Sequence, residues 1–352
     1  MCPYCGLATG IGSLPFLDPE AAVEFVWRYF PSLPHWPQLP RRGAQEGFVV
    51  QFLKPLLDTG VLVRQGDRFH FAIDAPEWPE CLAAFYELYL AAVEGDEEAL
   101  GRFAASRESA AGLYAFLEQE PGRFAGAVAV KGQVVGPLTV GFNLTAAGRP
   151  AYYDEQLREV IVKTLATSAA WQARTLARTG KPVLLFIDEP GVSIYGQSAY
   201  ITVTREMIVN DLREMVQAVG AAGGLPGIHA CAAVDWSILV ESGAGIISYD
   251  AYNFFPSLLP YREQLAAFLS AGGILAWGIV PTSDCARDED GAGLVHRLEE
   301  QWEQLAARGV AREMLHRQWL VTPSCGLGLL AEDLAPRIYA LCAEVAAALR
   351  EG

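Results

Sequence analysis

From about residue 125 onward, the chain alternates short apolar runs with longer amphipathic stretches. Six runs are apolar along their length, as buried strands are: Ala127–Val135, Pro182–Ile187, Leu225–Cys231, Gly245–Tyr249, Gly273–Val280 and Gln318–Thr322. The stretches between and after them have helical periodicity: Tyr153–Thr179, Thr204–Ala222, Ala233–Ser242, Leu258–Ser270, Gly293–Arg308 and Ala331–Arg350. Repeated alternation of strand and helix predicts parallel strands joined by right-handed crossovers. Because the strands are apolar on both faces, we expect a sheet that is covered on both sides.

Six parallel strands fall two short of a closed eight-stranded barrel. The N-terminal part offers Thr9–Leu14 as one more strand, and either Trp36–Pro40 or Phe48–Leu53 as the other. We therefore predict an α/β fold, a single (β/α)8 TIM barrel that spans residues 1–352. A doubly wound open sheet is the alternative.

An insertion interrupts the early part of this pattern. Val61–Ile73 alternates around Gln65–Asp67, which is typical of a β-hairpin. Glu77–Phe116 is mostly helical in pattern. No linker rich in proline, glycine or serine flanks these residues, so residues 61–116 are interpreted as an insertion between early barrel strands rather than a second domain.

Composition limits the partners. The formal net charge is -15, which argues against nucleic acid because proteins that bind it need a basic face. No apolar run reaches roughly 20 residues, and the first residues lack the pattern of a signal peptide, so we expect a cytoplasmic protein without a membrane span. The 7 cysteines are an odd number spread through a long chain, which predicts reduced thiols.

A histidine and two cysteines have the residue types of a zinc site. His229 and Cys231 are separated by one residue at a predicted strand end, so both side chains point to the same side. Cys325 follows another strand end. Each residue alone is commonly structural, but the three together predict a tetrahedral zinc site that needs one more ligand or a bound thiol.

Polar residues gather at the predicted carboxyl ends of strands, where barrel enzymes carry their active sites. They are Ser13, Asp188, His229, Cys231, Asp250 and Cys325. His35, in a proline-rich loop beside Trp36, is a candidate for lining the mouth of the barrel.

Five short segments carry a resemblance to a known family. Thr9–Pro15, Ile187–Pro190, His229–Cys231, Ile247–Asp250 and Thr322–Leu327 occur in the order seen in the catalytic barrel of cobalamin-independent methionine synthase. That family shares a superfamily with uroporphyrinogen decarboxylase and with zinc methyltransferases that act on corrinoid proteins. The chain resembles these enzymes over nearly its whole length, although the match is specific only in these segments.

The resemblance implies a zinc-dependent methyltransferase acting on a small thiol, with homocysteine favoured and coenzyme M a possible substitute. It implies His229, Cys231, Cys325 and Asp250 as metal ligands. The family carries a longer glutamate in place of Asp250, so this residue is predicted either to bind zinc or to orient His229. No catalytic residue beyond the metal site is predicted.

The amino-acid part of the thiol is bound in the family by the segment that matches Ile11, Gly12 and Ser13, and by the aspartate that matches Asp188. A carboxylate at Asp188 is complementary to an α-ammonium group. A helix cap or loop acid before Pro190 is the alternative reading of this aspartate.

The departures from the family all concern the methyl donor. The chain has room for one barrel, whereas the full-length enzyme has two. The folate-contacting glutamate is replaced within Gly191–Ile194, and the histidine proposed as proton donor is absent from Ala276–Pro281. We therefore expect a methylcorrinoid on a partner protein as the donor, since release of methyl from cobalt requires no protonation of a folate nitrogen.

Two other functions remain open. A decarboxylase resembling the uroporphyrinogen enzyme would need a basic cavity, for which Arg41 and Arg42 are the obvious pair. A non-catalytic metal-binding barrel could instead serve as the partner of a corrinoid protein. The role of Cys2 and Cys5 is also open: they could belong to an ordinary terminal segment, cover the bottom of the barrel or bind a second metal.

Overall fold

The computed structural model describes residues 3–66 and 68–351 of the chain. Eleven strands lie in that part: β1 Leu7–Ala8, β2 Leu62–Gln65, β3 Arg68–Phe71, β4 Val130–Val135, β5 Thr145–Ala146, β6 Arg149–Pro150, β7 Val183–Asp188, β8 Leu225–Ala230, β9 Ile246–Tyr249, β10 Ile274–Val280 and β11 Trp319–Pro323. The α-helices there are α1 Pro19–Tyr29, α2 Lys54–Asp58, α3 Trp78–Val93, α4 Glu97–Arg102, α5 Ala111–Leu117, α6 Pro137–Asn143, α7 Glu155–Ala177, α8 Arg205–Ala221, α9 Trp236–Glu241, α10 Ala251–Phe254, α11 Arg262–Ser270, α12 Gly291–Ala306, α13 Arg312–Leu315 and α14 Leu334–Glu351. None of these helices is both long enough and apolar enough to cross a membrane.

The main sheet has seven parallel strands in the order β1-β11-β10-β9-β8-β7-β4. The α/β class and the parallel pairing predicted from the sequence are confirmed. Each of the six predicted apolar runs contains one of these strands, with ends that differ by a few residues. The strand predicted at Thr9–Leu14 begins earlier in the structure. Its register partners on β11 are paired with Leu7 and Ala8, which precede the predicted run.

The segment at residues 34–38 lies between the two edge strands of this sheet. Single bridges join His35 to Lys131 of β4 and Gln38 to Ser13 beyond β1. The Lys131 N–H donates to the Pro34 carbonyl at 2.8 Å, and the Gln38 N–H donates to Gly12 at 3.0 Å. Of the two candidate segments, the one near Trp36 therefore contacts both edges. Residues 48–52 form turns instead.

One face of the main sheet changes from apolar to polar along its strands. A hydrophobic cluster of strand and loop residues, with no helix residue in it, fills the part of this face nearer the amino ends of the strands: Leu7, Leu33, Ala129, Leu184, Phe186, Ile246, Ile274, Ala276 and Leu320. Tyr4 and Cys5 pack against it, whereas Cys2 lies outside the described residues. Residues two positions further along a strand share the same face. On this face they are mostly polar and buried: Thr9, His35, Lys131, Asp188, Ser248 and Thr322. Apart from Lys131, which is the second residue of β4, the residues of this polar layer lie at or beyond the carboxyl-terminal half of their strands or in the segment at residues 34–38.

The predicted hairpin and helices are present as a smaller unit packed on the main one. A four-stranded sheet has the order β2-β3-β5-β6, with β2 and β3 antiparallel. Asp67 of the predicted turn lies outside the described residues. Helices α3, α4 and α5 fill most of Glu77–Phe116. Because α3 contacts α7 and α5 contacts α1, this region adds to the helical layer around the main sheet.

Candidate metal centre

His229, Cys231 and Cys325 converge at the carboxyl end of the main sheet. One ligand atom from each lies within 4.8 Å of the other two. His229 is in β8, Cys231 follows it, and Cys325 follows β11. Strands β9 and β10 separate β8 from β11, so their axes would be about 14 Å apart in a flat sheet. The sheet must therefore curl strongly to bring these donors together.

A glycine in β10 permits the close approach of the chain that carries Cys325. A Cβ at Gly278 would lie 2.4 Å from the Tyr249 carbonyl oxygen and 2.9 Å from Ser324 Cα. Both contacts are with backbone, which cannot move aside as a side chain can. The absence of a side chain at Gly278 therefore helps to place Cys325 over the end of β10.

The imidazole of His229 is oriented by a serine that the sequence analysis missed. His229 and Ser248 are register partners on β8 and β9, and Nδ1 lies 2.9 Å from Ser248 Oγ. His229 is 2% exposed, and its buried Nε2 has no hydrogen-bond partner in the described part of the chain. An unpartnered buried nitrogen facing two sulfurs fits a metal ligand, since ligating histidines commonly use their other nitrogen to bond a neighbour.

The two cysteine sulfurs lie close enough to shift each other's pKa. The Cys325 thiol, and then the His229 ring, lower the pKa of Cys231 to about 4. The Cys231 sulfur, followed by burial, raises the pKa of Cys325 well above its usual range. The two sulfurs therefore do not ionise independently. Two cysteine sulfurs beside an unpartnered imidazole nitrogen form a donor set that suits zinc once both thiols are deprotonated.

Asp250 lies beside this group and not within it. Its Oδ1 accepts from the Asn253 N–H at 2.8 Å, and Oδ2 accepts from Asn253 Nδ2 at 2.7 Å. It thereby caps α10, and burial raises the pKa of its carboxyl group. In this structure the partner of His229 Nδ1 is Ser248, and the hydrogen bonds of Asp250 go to Asn253. The role of Asp250, as a ligand or as a residue that orients His229, stays a prediction.

The three candidate ligands line a cavity of about 470 Å³. Ile11, Ser13 and Asp188, predicted to bind substrate, line it too. Most of the remaining wall is apolar or small: Pro40, Gly47, Phe48, Pro190, Gly326, Gly328, Leu329 and Leu330, together with the polar Gln38 and Glu46. No arginine or lysine is among the described residues of this wall.

Gly12 lies between two wall residues, Ile11 and Ser13, at a position that only glycine fits. Its φ is 153°, a conformation that favours glycine. A Cβ at this position would lie 2.7 Å from Gln133 Cδ and 2.8 Å from Gln38 Oε1. The segment Ile11–Ser13 therefore packs closely against two amide side chains.

Asp188 is a buried carboxylate with a free oxygen. It is 4% exposed, and Oδ1 has no hydrogen-bond partner among the described residues. Burial raises the pKa of Asp188 to about 6, although the nearby charge of Lys131 opposes this shift. The next residue is structural, since Glu189 accepts hydrogen bonds from the backbone N–H groups of Leu138, Thr139 and Gly191.

The sequence analysis missed Lys131, which is fully buried in β4. Its Nζ donates to the Ile11 carbonyl at 2.6 Å and to Gln133 Oε1 at 3.1 Å. Burial lowers the pKa of Lys131 to about 7, although Asp188 opposes the shift. The signal in the sequence was a lysine and a glutamine two residues apart within an otherwise apolar run.

His35 does not line the cavity. It is fully buried, with Nδ1 at 2.9 Å from the Trp36 carbonyl and Nε2 at 2.8 Å from Tyr339 Oη. Burial, followed by the charge of Lys131, lowers the pKa of His35 to about 3. It is therefore a neutral packing residue between the sheet and α14.

Comparison with known proteins gives a distant structural likeness only. No protein-family model matches the chain. No curated protein sequence matches it either. Thirty-one chains of solved structures match, among them a methyltransferase from Methanosarcina mazei. That structure is 13% identical in sequence with a TM-score of 0.44, and the match covers 72% of this chain and 68% of the other. A likeness this distant carries no argument about function.

Proposed function

We propose that this protein is a zinc-dependent methyltransferase that transfers a methyl group to the sulfur of a small thiol, homocysteine, to give methionine. The observation that supports it is the convergence of one imidazole and two cysteine sulfurs within 4.8 Å at the wall of a cavity. Three protein ligands beside open space leave a fourth position for a substrate sulfur, as catalytic zinc sites do.

The fold that we propose for this enzyme is a closed (β/α)8 barrel. The segment at residues 34–38 would be its eighth strand, because it hydrogen-bonds to β4 on one side and to the chain beyond β1 on the other. The curl required by the distance between the β8 and β11 donors supports closure. Closure would place the polar layer inside the barrel at its carboxyl end.

His229, Cys231 and Cys325 would hold the zinc ion, with Asp250 or the substrate as the fourth ligand. Zinc bound there would favour the thiolate form of a substrate, which as a free alkyl thiol has a pKa of about 8.5. The chain's own residues do the rest. Ser248 fixes the His229 ring, and the apolar wall excludes water from the sulfur.

Asp188 would orient the substrate through its α-ammonium group. Its free Oδ1 is buried at the cavity and needs a hydrogen-bond donor. Glu46, the other acid of the wall, is paired with Arg42, so Asp188 is the acid left to receive a cation. No lysine or arginine is among the described wall residues to pair with a sulfonate. This charge pattern favours an aminothiol such as homocysteine over the sulfonate coenzyme M.

A methylcorrinoid carried by a partner protein is the proposed methyl donor. Where the resembling family has a folate-contacting glutamate, this chain has Gly191–Ile194, and β10 has Trp277 and Gly278 in the region of the missing proton donor. A polyglutamylated folate would also find no basic residue on the described cavity wall. We further propose a cytoplasmic setting, because zinc ligation needs reduced cysteines.

The alternative functions fit the site less well. Arg41, the first of the two arginines considered for a decarboxylase, donates to the Leu330 carbonyl. Arg42 pairs with Glu46 and bonds the Leu17 carbonyl. Neither lines the cavity, so a polycarboxylate would meet acids there and not bases. A purely structural zinc would be closed by four protein side chains, whereas three were found together in the described chain.

Metal analysis tests the proposal directly. Purified protein should contain about one zinc per chain, and Cys231→Ser and Cys325→Ser should each lose most of it. Cys285→Ser is the matched control, because Cys285 is exposed and outside the group. Zinc retained in both site variants would contradict the proposed centre.

Cobalt substitution and donor assays then separate an enzyme from a structural site. Added homocysteine should change the visible spectrum of the cobalt-substituted protein, since sulfur would enter the open position. Homocysteine should be methylated with methylcobalamin. Turnover with methyltetrahydrofolate and none with methylcobalamin would contradict the proposed donor.

A further inference from the structure

Lys131 places a charged group in the buried interior, where it needs strong compensation. Two of its three protons go to the Ile11 carbonyl and to Gln133 Oε1. Its Nζ also lies 4.5 Å from the centre of the Phe186 ring. These three contacts fix the ammonium group below the cavity, where it cannot line the wall.

The acceptors of Lys131 are themselves held in place. Gln133 Nε2 donates to the Trp36 carbonyl at 3.0 Å. The amide of Gln172 clamps the backbone of Gln133, accepting from its N–H and donating to its carbonyl, each at 3.0 Å. Trp36 Nε1 donates to the same Gln172 side chain at 2.8 Å. A network this complete gives Lys131 one position rather than several.

The segment that Lys131 holds has free donors beside the cavity. Ile11 and Ser13 line the cavity wall. Within the described chain, none of the backbone N–H groups of Ile11, Gly12 and Ser13 donates to another residue. Unpartnered backbone N–H groups next to a pocket suit a carboxylate, because buried donors are almost always paired.

Lys131 leaves the Asp188 carboxylate free to bind a ligand. No ion pair within 4.0 Å joins these two residues, and Asp188 Oδ1 has no hydrogen-bond partner in the described chain. Asp188 also lines the cavity wall. Its free oxygen is therefore available to an ammonium group.

We propose that Lys131 is a positioning residue that makes the cavity selective for thiols carrying an α-amino acid group. Its hydrogen bond presents the Ile11–Ser13 backbone to the substrate carboxylate, on the same cavity wall as the free Asp188 oxygen that would receive the ammonium group. The inference rests on the proposed methylation of a thiol. It adds a residue that contacts neither the metal donors nor the substrate.

Lys131→Met tests this, because methionine has a similar length and removes both the charge and the donor. The variant should raise KM for homocysteine about 10- to 100-fold, the range expected for a lost charged hydrogen bond. The variant should leave the KM for 1-propanethiol unchanged, because this thiol lacks the amino-acid group. It should also leave the zinc content and the kcat at saturating thiol unchanged. Lys181→Met is the matched control, since Lys181 is half-buried away from the cavity and donates to the Ala125 carbonyl.

Calorimetry gives a readout independent of turnover. Methionine carries the same amino-acid group, and its affinity for the metal-free wild-type protein should exceed that for the Lys131→Met variant by the same factor. In a double-mutant cycle, Lys131→Met and Asp188→Asn should be less than additive for methionine affinity, because each removes part of one recognition site.

Each outcome is decisive. Equal KM changes for homocysteine and 1-propanethiol, or no change for either, would overturn the positioning role while leaving the methyltransferase proposal intact. Wild-type protein that loads with zinc but binds no thiol would remove both. If Lys131→Met fails to fold, Lys131→Gln, which keeps a donor without the charge, should still lower the preference for homocysteine, and an unchanged preference refutes the inference.

Discussion

The hydrogen bond between Ser248 and His229 should control metal affinity. For Nε2 of His229 to bind a metal, the ring proton must lie on Nδ1 and point at Ser248 Oγ, 2.9 Å away. Ser248→Ala removes that acceptor. The buried Nδ1–H is then unpaired, and the ring is free to rotate or to change tautomer.

The size of the effect follows from the hydrogen bond lost. A neutral buried hydrogen bond contributes about 1 kcal/mol, and leaving one partner unsatisfied costs about 1–3 kcal/mol. Every 1.4 kcal/mol is tenfold in an equilibrium constant, so zinc affinity should fall about 10- to 100-fold, the range seen for residues that orient metal ligands. Ser248→Thr keeps the hydroxyl and should lose much less.

The assay is competition with a chromophoric chelator at neutral pH, with unfolding by urea measured on the same samples. Ser242→Ala is the matched control. Ser242 is also fully buried, and its Oγ donates to the carbonyl of Leu239 in α9 at 2.7 Å. This control variant should reduce stability but not zinc affinity. Equal zinc affinity in Ser248→Ala and wild type, or an equal loss in both alanine variants, would refute the argument.

Two further predictions concern the fold around the site. Gly278→Ala should lower the free energy of unfolding by about 1–3 kcal/mol and weaken zinc binding, because the new Cβ would lie 2.4 Å from a backbone oxygen. Gly101→Ala, with open space around it, should have neither effect. Urea unfolding measures the stability, and competition with a chelator measures the zinc affinity. His35 has a pKa of about 3 when folded and about 6.5 when unfolded, so the unfolded state gains protons first as pH falls and stability is lost below pH 6.5. Between pH 7 and pH 5 this loss is about 2 kcal/mol, and His35→Gln should remove it. Urea unfolding at the two pH values measures this loss. An equal loss of unfolding free energy in the wild type and in His35→Gln would contradict the assignment to His35.

The regular part of the fold could be predicted because its signals are local. Apolar runs such as Pro182–Ile187 and the helical periodicity after them extend over enough residues to be recognised without tertiary information. The paired positions of His229 and Cys231 were equally accessible, since the alternation of side chains along a strand depends on backbone geometry alone.

The parts that were missed or left open depend on tertiary contacts. The segment at residues 34–38 contains Pro34 and Pro37, which cannot donate to a ladder, so it pairs through single bridges and lacks a strand pattern. Ser248 and Lys131 are single polar residues inside apolar strands, and their roles depend on strand register. Both carboxylate oxygens of Asp250 accept hydrogen bonds from one residue of the short helix that follows it, Asn253, which the sequence pattern did not indicate.

The two halves of the site are built on different parts of the sheet. The metal donors come from β8 and the end of β11. The hydrogen-bond network of Lys131 joins β4, the segment at residues 34–38 and the chain beyond β1, and it includes no residue of β8 or β11. We therefore expect a change in that network to affect the proposed substrate recognition and the segment at residues 34–38, while the imidazole and the two sulfurs keep their separation. Under the proposed function, we therefore expect variants of the Lys131 network to change thiol selectivity without changing metal content.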